Sequence, residues 1–475
     1  MRLDDTSTWM TYLNEGAQAS AIMHVLFVDP RQADGVPDSS ALLRGFVAER
    51  LAHHPCFQRR IVRSPGGLGS SHLVVDPGFD IADHVSVEAL DPSLTWAGFC
   101  DRLVAIRHER LDPQRAPWHV MLLTGVPDGP GIRPGTMALV VRTEHAVMDG
   151  GASAAFVRAL LAVSPLVPAR PPTTDSGSGA RALPLPPATV VAASSIAEMP
   201  RRALRFAASI GQARTRSGSG GAAVEGLEGR GPRAATDPAG SGHRFFVVTT
   251  SLRAMNEARA GIPGATVNDA VLALVGGALR RYLLEHATLP EVPLRSIVTV
   301  STTGGTDGRE RLIGNDFAMV IFPLRTDIED PLERVAAIAG ASGRIKTALA
   351  DGPRLHGERA MQAIPPLFLP RALSLLGRLQ RRRTPGTQAP AANAVLVNVP
   401  IGPGPLALGG APVYRSLGVP FIEGLGVAHW VSTLGDDMTI GVLARSGSIT
   451  DLDSYQGAFA QELAAMRAGA SPAGN

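Results

Sequence analysis

Short apolar runs and amphipathic stretches alternate along the chain, and their two periods separate strands from helices. Residues 20–29 (SAIMHVLFVD) form an apolar run that predicts a first strand. From Pro37 to His53, Leu42, Leu43, Phe46, Val47 and Leu51 line one helical face, with Asp38 and Ser39 placed to cap it. Residues 59–76 read as a hairpin broken by Pro65-Gly66-Gly67. Asp80 to Val87 reads as a short strand and Trp96 to Arg110 as an amphipathic helix. Ala116-Pro117-Trp118 leads into a strand from His119 to Gly125, and a Pro/Gly-rich turn separates it from a Val-rich strand starting at Thr136. Ala152 to Val163 is helical.

The pattern then breaks. From Pro165 to about Gly242 the composition shifts to Pro, Ala, Gly, Ser and Arg, and residues 168–187 and 217–242 have the look of flexible linker. Between them, Thr189 to Arg216 reads as a basic amphipathic helix with Ile196, Leu204, Phe206 and Ile210 beside Arg201, Arg202, Arg205 and Arg214. Such a helix suits either anionic lipid or the surface between two domains.

Strands and helices resume with His243 to Thr250 and a helix from Ser251. Thr266, Asn268 or Asp269 caps the apolar helix Ala270 to Leu284. Strands follow at Ser296 to Thr302, at Phe317 to Leu324 behind Gly314-Asn315-Asp316, and at Ala394 to Pro400. Residues 413–417, 426–434 and 438–444 predict further strands; Pro331 to Leu349, the apolar stretch Pro365 to Leu379 with its Arg381-Arg382-Arg383 tail, and Asp451 to Met466 predict helices. No regular βαβ repeat emerges, so the expectation is two α+β domains. Their expected extents are 1–167 and 243–468, with a crossover linker at 168–242 and a tail at 469–475.

Composition narrows the class. A chain of 475 residues with 45% apolar and 18% charged residues can bury a sizeable core in more than one domain. The net charge of +3 and the lack of basic-aromatic interleaving give no reason to expect nucleic acid. Cys56 and Cys100 form neither a disulfide framework nor a metal-ligand spacing, and are expected as small buried hydrophobes in a reducing compartment. The polar, acidic N-terminus does not read as a signal peptide, and no apolar run approaches the ~20 residues of a membrane span. A cytoplasmic location is the resulting expectation.

The candidate chemistry lies where the strand from Thr136 ends. It delivers Glu144 and His145, then Asp149-Gly150 at the entry to a helix. An imidazole titrates near neutral pH, so a His at a strand exit is a candidate general base. The bare pattern is weak, because a lone His beside a strand is more often structural.

Several motifs in order strengthen it. Glu144-His145-Ala-Val-Met-Asp149-Gly150, Ala116-Pro117-Trp118, Thr266-Val-Asn268-Asp269 and Val397-Asn398-Val399-Pro400-Ile401-Gly402-Pro403 together resemble the bacterial wax ester synthase/diacylglycerol acyltransferase family, in register from about Trp9 to Met466. The resemblance implies two chloramphenicol-acetyltransferase-like α+β domains joined by a crossover, with the active site in a tunnel between them. It also implies O-acyl transfer from acyl-CoA, a co-substrate, to diacylglycerol or a long-chain alcohol, with no cofactor and no metal. His145 is the implied base, Asp149 its structural support and Gly150 the turn; Glu144, Trp118, Asn268, Asp269 and Asn398 are the implied substrate-binding or site-shaping residues. Substrates that partition into lipid make peripheral contact with the inner membrane or lipid droplets an expectation.

Two positions depart from the family. Glu144 stands where the family usually carries a first His, and Ile401 stands in place of a Gly. A carboxylate approaching His145 would raise its pKa, whereas strand alternation would place the two side chains on opposite faces. The same fold with a carrier-protein donor or a specialised alcohol remains open, as does a lipid-binding member without turnover.

Overall fold

Two six-stranded sheets organise the chain. The computed structural model describes residues 1–13, 21–33, 35–64, 67, 69–163, 204, 242–301, 312–350, 392–421 and 425–470. In chain order the elements are α1 (Asp5–Leu13), β1 (Ala21–Val28), α2 (Ser40–Leu51), β2 (Arg59–Val62), β3 (His72–Val75), β4 (Val85–Ala89), α3 (Trp96–His108), β5 (Trp118–Thr124), β6 (Met137–Glu144) and α4 (Gly150–Leu161). The second half adds β7 (His243–Ser251), α5 (Leu252–Arg259), α6 (Val267–His286), β8 (Arg295–Ser301), β9 (Phe317–Pro323), α7 (Pro331–Ala350), β10 (Ala394–Asn398), β11 (Ala407–Leu408), β12 (Ala411–Gly418), β13 (Val427–Leu434), β14 (Asp437–Arg445) and α8 (Leu452–Ala470).

The first sheet has the order β11-β12-β1-β6-β5-β4 and the second β7-β14-β13-β10-β8-β9. Strand β12 pairs antiparallel with β1, His24 opposite Gly418 and Leu26 opposite Ser416. The second half therefore lends strands to the first sheet, and a cut at residue 243 separates the halves in sequence but not in hydrogen bonding.

Every residue of β1 is buried, which explains its unbroken apolar run. Ile22, Leu26 and Val28 face a core with α2 and α4, while Met23, Val25 and Phe27 face a second core with α3. That second core also takes Phe245, Val247, Leu417, Ala428 and Leu443, so it joins the two halves. At about 1.5–3 kcal/mol for each fully buried Val, Leu or Phe, this shared core outweighs any single polar contact across the seam. The other face of the second sheet is covered by α5, α6, α7 and α8. Helix α6 runs so close to its neighbours that a Cβ on Gly277 would lie 2.2 Å from Glu462. Glu462 and Arg334, each 1% exposed, form an ion pair there.

Local chemistry moves several boundaries. Helix α2 starts at Ser40 because the Ser39 side chain accepts from the Leu42 amide, and Leu42 is 58% exposed rather than on the buried face. The strand expected from Asp80 begins later, at Val85, because the Asp80 carboxylate accepts from the Ala82 amide (2.8 Å) and bends Ile81–Asp83 into a 3-10 turn. Helix α1 has no counterpart among the pattern-based elements. Cys56 and Cys100 are free and buried, and burial pushes both thiols up to about 12. The expected linkers, the helix Thr189 to Arg216 apart from Leu204, and the stretch Pro365 to Leu379 lie outside the described residues. Among the described residues, no helix is long and apolar enough to cross a membrane.

Candidate active site

The site loop is built by β6, which ends at Glu144, and by α4, which begins at Gly150. Between them the Glu144 carbonyl accepts from the Val147 (2.9 Å) and Met148 (3.1 Å) amides, a turn that lifts His145 out of the sheet. A segment of the second half, Gly314-Asn315-Asp316 ahead of β9, lies along this turn. Gly314 donates to the Val147 carbonyl (2.8 Å) and accepts from the Asp149 amide (3.1 Å), a parallel bridge across the seam.

Asp149 uses its two oxygens in two directions. Oδ1 accepts from the Ala152 amide (2.9 Å) and caps α4, while Oδ2 accepts from the Asp316 amide (2.9 Å) in the other half. Both partners are backbone amides, one on each side of the seam.

Asn315 is the residue that sequence reasoning missed. Its Nδ2 donates to the His145 carbonyl (2.8 Å) and to Ser7 Oγ (3.1 Å) on α1, which fixes the orientation of the amide. Its Oδ1 therefore faces His145 Nδ1 as an acceptor at 3.1 Å. His145 must carry its proton on Nδ1, and Nε2 is left as the acceptor. The one available signal was the polar triplet Gly314-Asn315-Asp316 abutting an apolar strand.

His145 is half-buried, with its ring 5.6 Å from that of Phe317 and 5.9 Å from that of Phe421. Burial lowers its pKa from the usual imidazole range, against smaller upward pulls from its own backbone, Glu144, Asp149 and Asn315. The Glu144 charge thus acts in the anticipated direction but loses to desolvation. Other histidines in the halves behave differently. His24 and His429 are fully buried and bonded to Ser153 Oγ (2.9 Å) and Tyr455 OH (2.8 Å), and burial lowers them to about 3 and about 4. Those two serve the cores.

The remaining expected residues divide. Gly150 does not need a left-handed backbone; a Cβ there would sit 2.7 Å from Val399 Cγ2, so it is required for close approach rather than for the turn. Asn398, next to Val399, is thereby brought to the seam, with its Oδ1 buried and lacking a hydrogen bond among the described residues. Trp118 is fully buried, donates to the Phe57 carbonyl (3.1 Å) and packs on Phe156 of α4 (5.9 Å), so it is a core residue rather than a substrate contact. Its neighbour Pro117 accepts from the Glu144 amide (2.9 Å) and braces the loop from below. Asp269 forms a capping box with Thr266 and accepts from Ser342 Oγ; none of these bonds reaches His145. Asn268 lies half-buried in the first turn of the same helix. Among the described residues, no cluster of three or more His, Cys, Asp or Glu could hold a metal ion.

The arrangement offers a neutral imidazole nitrogen at a seam between two halves, which suits proton abstraction from a bound hydroxyl. Residues 9–271 match the model of the wax ester synthase/diacylglycerol acyltransferase catalytic domain, and residues 313–467 that of the C-terminal domain. A Mycobacterium tuberculosis protein assigned by name to the diacylglycerol O-acyltransferases is 26% identical over 97% of this chain and 89% of its own. In structure, the chain is similar to the wax ester synthase/diacylglycerol acyltransferase from Marinobacter aquaeolei VT8 (TM-score 0.63, 21% identity, 99% and 100% of the two chains). It is similar also to a trichothecene 15-O-acetyltransferase from Fusarium sporotrichioides (TM-score 0.58, 12% identity, 98% and 94%).

Proposed function

The chain belongs to the wax ester synthase/diacylglycerol acyltransferase family and is an acyltransferase, and on that premise we propose that His145 catalyses direct transfer of a long-chain acyl group from acyl-CoA to diacylglycerol or a fatty alcohol. The observation that carries the reading is the bond from His145 Nδ1 to Asn315 Oδ1, which leaves Nε2 as the proton acceptor. Nε2 takes the proton of the acceptor hydroxyl as its oxygen attacks the thioester carbonyl. The tetrahedral oxyanion collapses, the C–S bond breaks, and the CoA thiolate takes the proton from Nε2. The products are an ester and free CoA. The oxyanion needs donors, and in this reading Asn398, next to the Val399 that packs on Gly150, is the candidate side chain from the second half. Acyl-CoA enters as a co-substrate, and the transfer as written uses no further cofactor.

The test is His145→Ala in the purified protein, assayed with labelled acyl-CoA and a panel of diacylglycerols and alcohols. A fall of about 10²–10⁴-fold is expected, and full activity overturns the assignment. The same panel separates triacylglycerol from wax ester synthesis, and a parallel arm with acyl carrier protein tests the alternative donor. Substrates that partition into lipid place the working enzyme at the cytoplasmic face of a membrane or a droplet surface, supported by the basic stretch from Arg201 to Arg214. Absence of binding in liposome flotation counts against that placement.

A further inference from the structure

The hydrogen bond that sets the proton on His145 does not end at Asn315. Asn315 Nδ2 also donates to the Oγ of Ser7 (3.1 Å), a fully buried residue of α1. Ser7 in turn donates its hydroxyl proton to Asp4 Oδ2 (2.8 Å), and its amide donates to Asp4 Oδ1 (2.6 Å). Asp4, Ser7, Asn315 and His145 thus form one line of side chains, which spans 308 positions of sequence between Ser7 and Asn315.

The direction of every bond in this line is fixed from one end. A carboxylate only accepts, so the single proton of the Ser7 hydroxyl is committed to Asp4. Ser7 Oγ then has only lone pairs to offer Asn315, which must turn its NH2 toward it. The His145 carbonyl takes the other proton of the same NH2 (2.8 Å). A reversed amide would set Oδ1 against two acceptors at once, so Oδ1 stays on His145 Nδ1. The end of the line is itself anchored. Leu3, 3% exposed, donates its amide to the Ser71 carbonyl (2.9 Å), and the Ser71 amide donates to Thr8 Oγ1 (3.1 Å). Thr11 Oγ1 lies 2.9 Å from Ser71 Oγ. Chain termini ordinarily fray, whereas this first helix is pinned to the residue before β3. Capping of α1 needs one carboxylate oxygen of Asp4 for the Ser7 amide; the second oxygen is the one that serves the line.

We propose that Ser7 and Asp4 are positioning residues of the transferase, which hold the Asn315 amide in the one orientation that keeps the His145 proton on Nδ1. The proposal rests on the assignment of His145 as the base. When Nε2 takes the proton of the acceptor hydroxyl, the ring becomes cationic. Nδ1–H then donates to an oxygen whose dipole is aligned by the hydrogen bonds behind it, and bonds in such a chain polarise one another. Both residues act through Asn315.

The experiment measures Ser7→Ala and Asp4→Asn in the full-length protein, with acyl-CoA and the acceptor that the wild type turns over best. Asp4→Asn keeps a carbonyl oxygen for the Ser7 amide, so the cap of α1 survives, but its NH2 cannot accept from the hydroxyl. Circular dichroism and thermal melting confirm that each variant folds. The expected fall in kcat is about tenfold in Ser7→Ala, the size of one lost hydrogen bond, and about threefold in Asp4→Asn, with KM unchanged for both substrates. Nitrogen NMR of isotope-labelled histidine reads the tautomer directly, with the His145 signals identified by their loss in His145→Gln. The wild type is expected as the Nδ1–H form, and both variants as a mixture with Nε2–H. Folded variants with wild-type kcat and an unmixed Nδ1–H form overturn the positioning role while leaving His145 as the base. Full activity of His145→Ala overturns the assignment beneath it.

Discussion

Two aspartates cap two helices, and they differ in what else they hold. Asp269 Oδ2 accepts from the Thr266 amide (2.8 Å) and hydroxyl (2.7 Å), and Oδ1 from Ser342, all inside the second half. Asp149 is itself the N-cap of α4, its Oδ1 accepting from the Ala152 amide, but its Oδ2 reaches the Asp316 amide across the seam. The first is a stability device. The second ties the loop that carries the base to the segment that orients it. A capped helix is legible in either sequence; which cap is also a clamp depends on what the other half brings to the second oxygen.

The largest effect expected from breaking this clamp is at Asn315. Asn315→Ala removes the acceptor for Nδ1 and lets the imidazole choose its tautomer and tilt, at a cost of about 10²-fold in kcat/KM. Steady-state kinetics check it, and wild-type rates from a folded variant would separate Asn315 from catalysis. Asp149→Asn is the sharper probe. Its carbonyl oxygen still caps Ala152, but its NH2 cannot accept from Asp316, so activity is expected to drop about tenfold with little change in Tm. Asp269→Asn should do the reverse, lowering stability by about 1 kcal/mol in urea melts while kcat/KM holds. Equal effects of the two substitutions on both readouts would erase the distinction between cap and clamp.

The smallest expected effect is on pH dependence. His145 acts when neutral, and burial lowers its pKa, so activity is complete at neutral pH and is lost as pH falls through that lowered value. The acid limb of kcat/KM therefore lies below the ordinary imidazole range near about 6.5. The Asn315 bond pulls the pKa up, so Asn315→Ala should shift the limb to lower pH. A wild-type limb at or above the ordinary value, or a shift to higher pH in the variant, contradicts the electrostatics.

Much of the fold was legible because burial leaves a local record. The unbroken apolar run of β1, the Ser39 cap and the motif order around His145 all follow from neighbours in sequence. The same reading overreached where one local pattern admits two roles. Trp118 looks like a substrate contact in a motif and is a core side chain under α4, and Gly150 looks like a turn glycine and is a contact glycine against Val399. Periodicity alone does not rank His24, His145 and His429, since each lies in or beside an apolar run; only the order of motifs singles out His145.

By itself, the sequence determined the alternation of strands and helices, the family and the identity of the candidate base. Only the tertiary structure decided that β12 completes the first sheet, that Asn315 sets the proton on His145, and that the rings of His108 on α3 and His243 on β7 meet. The reason is range. Periodicity and capping act over a few residues, whereas the partners of His145 and His108 lie 170 and 135 positions away, 315 − 145 and 243 − 108, and are joined only when the apolar faces between the halves are buried together.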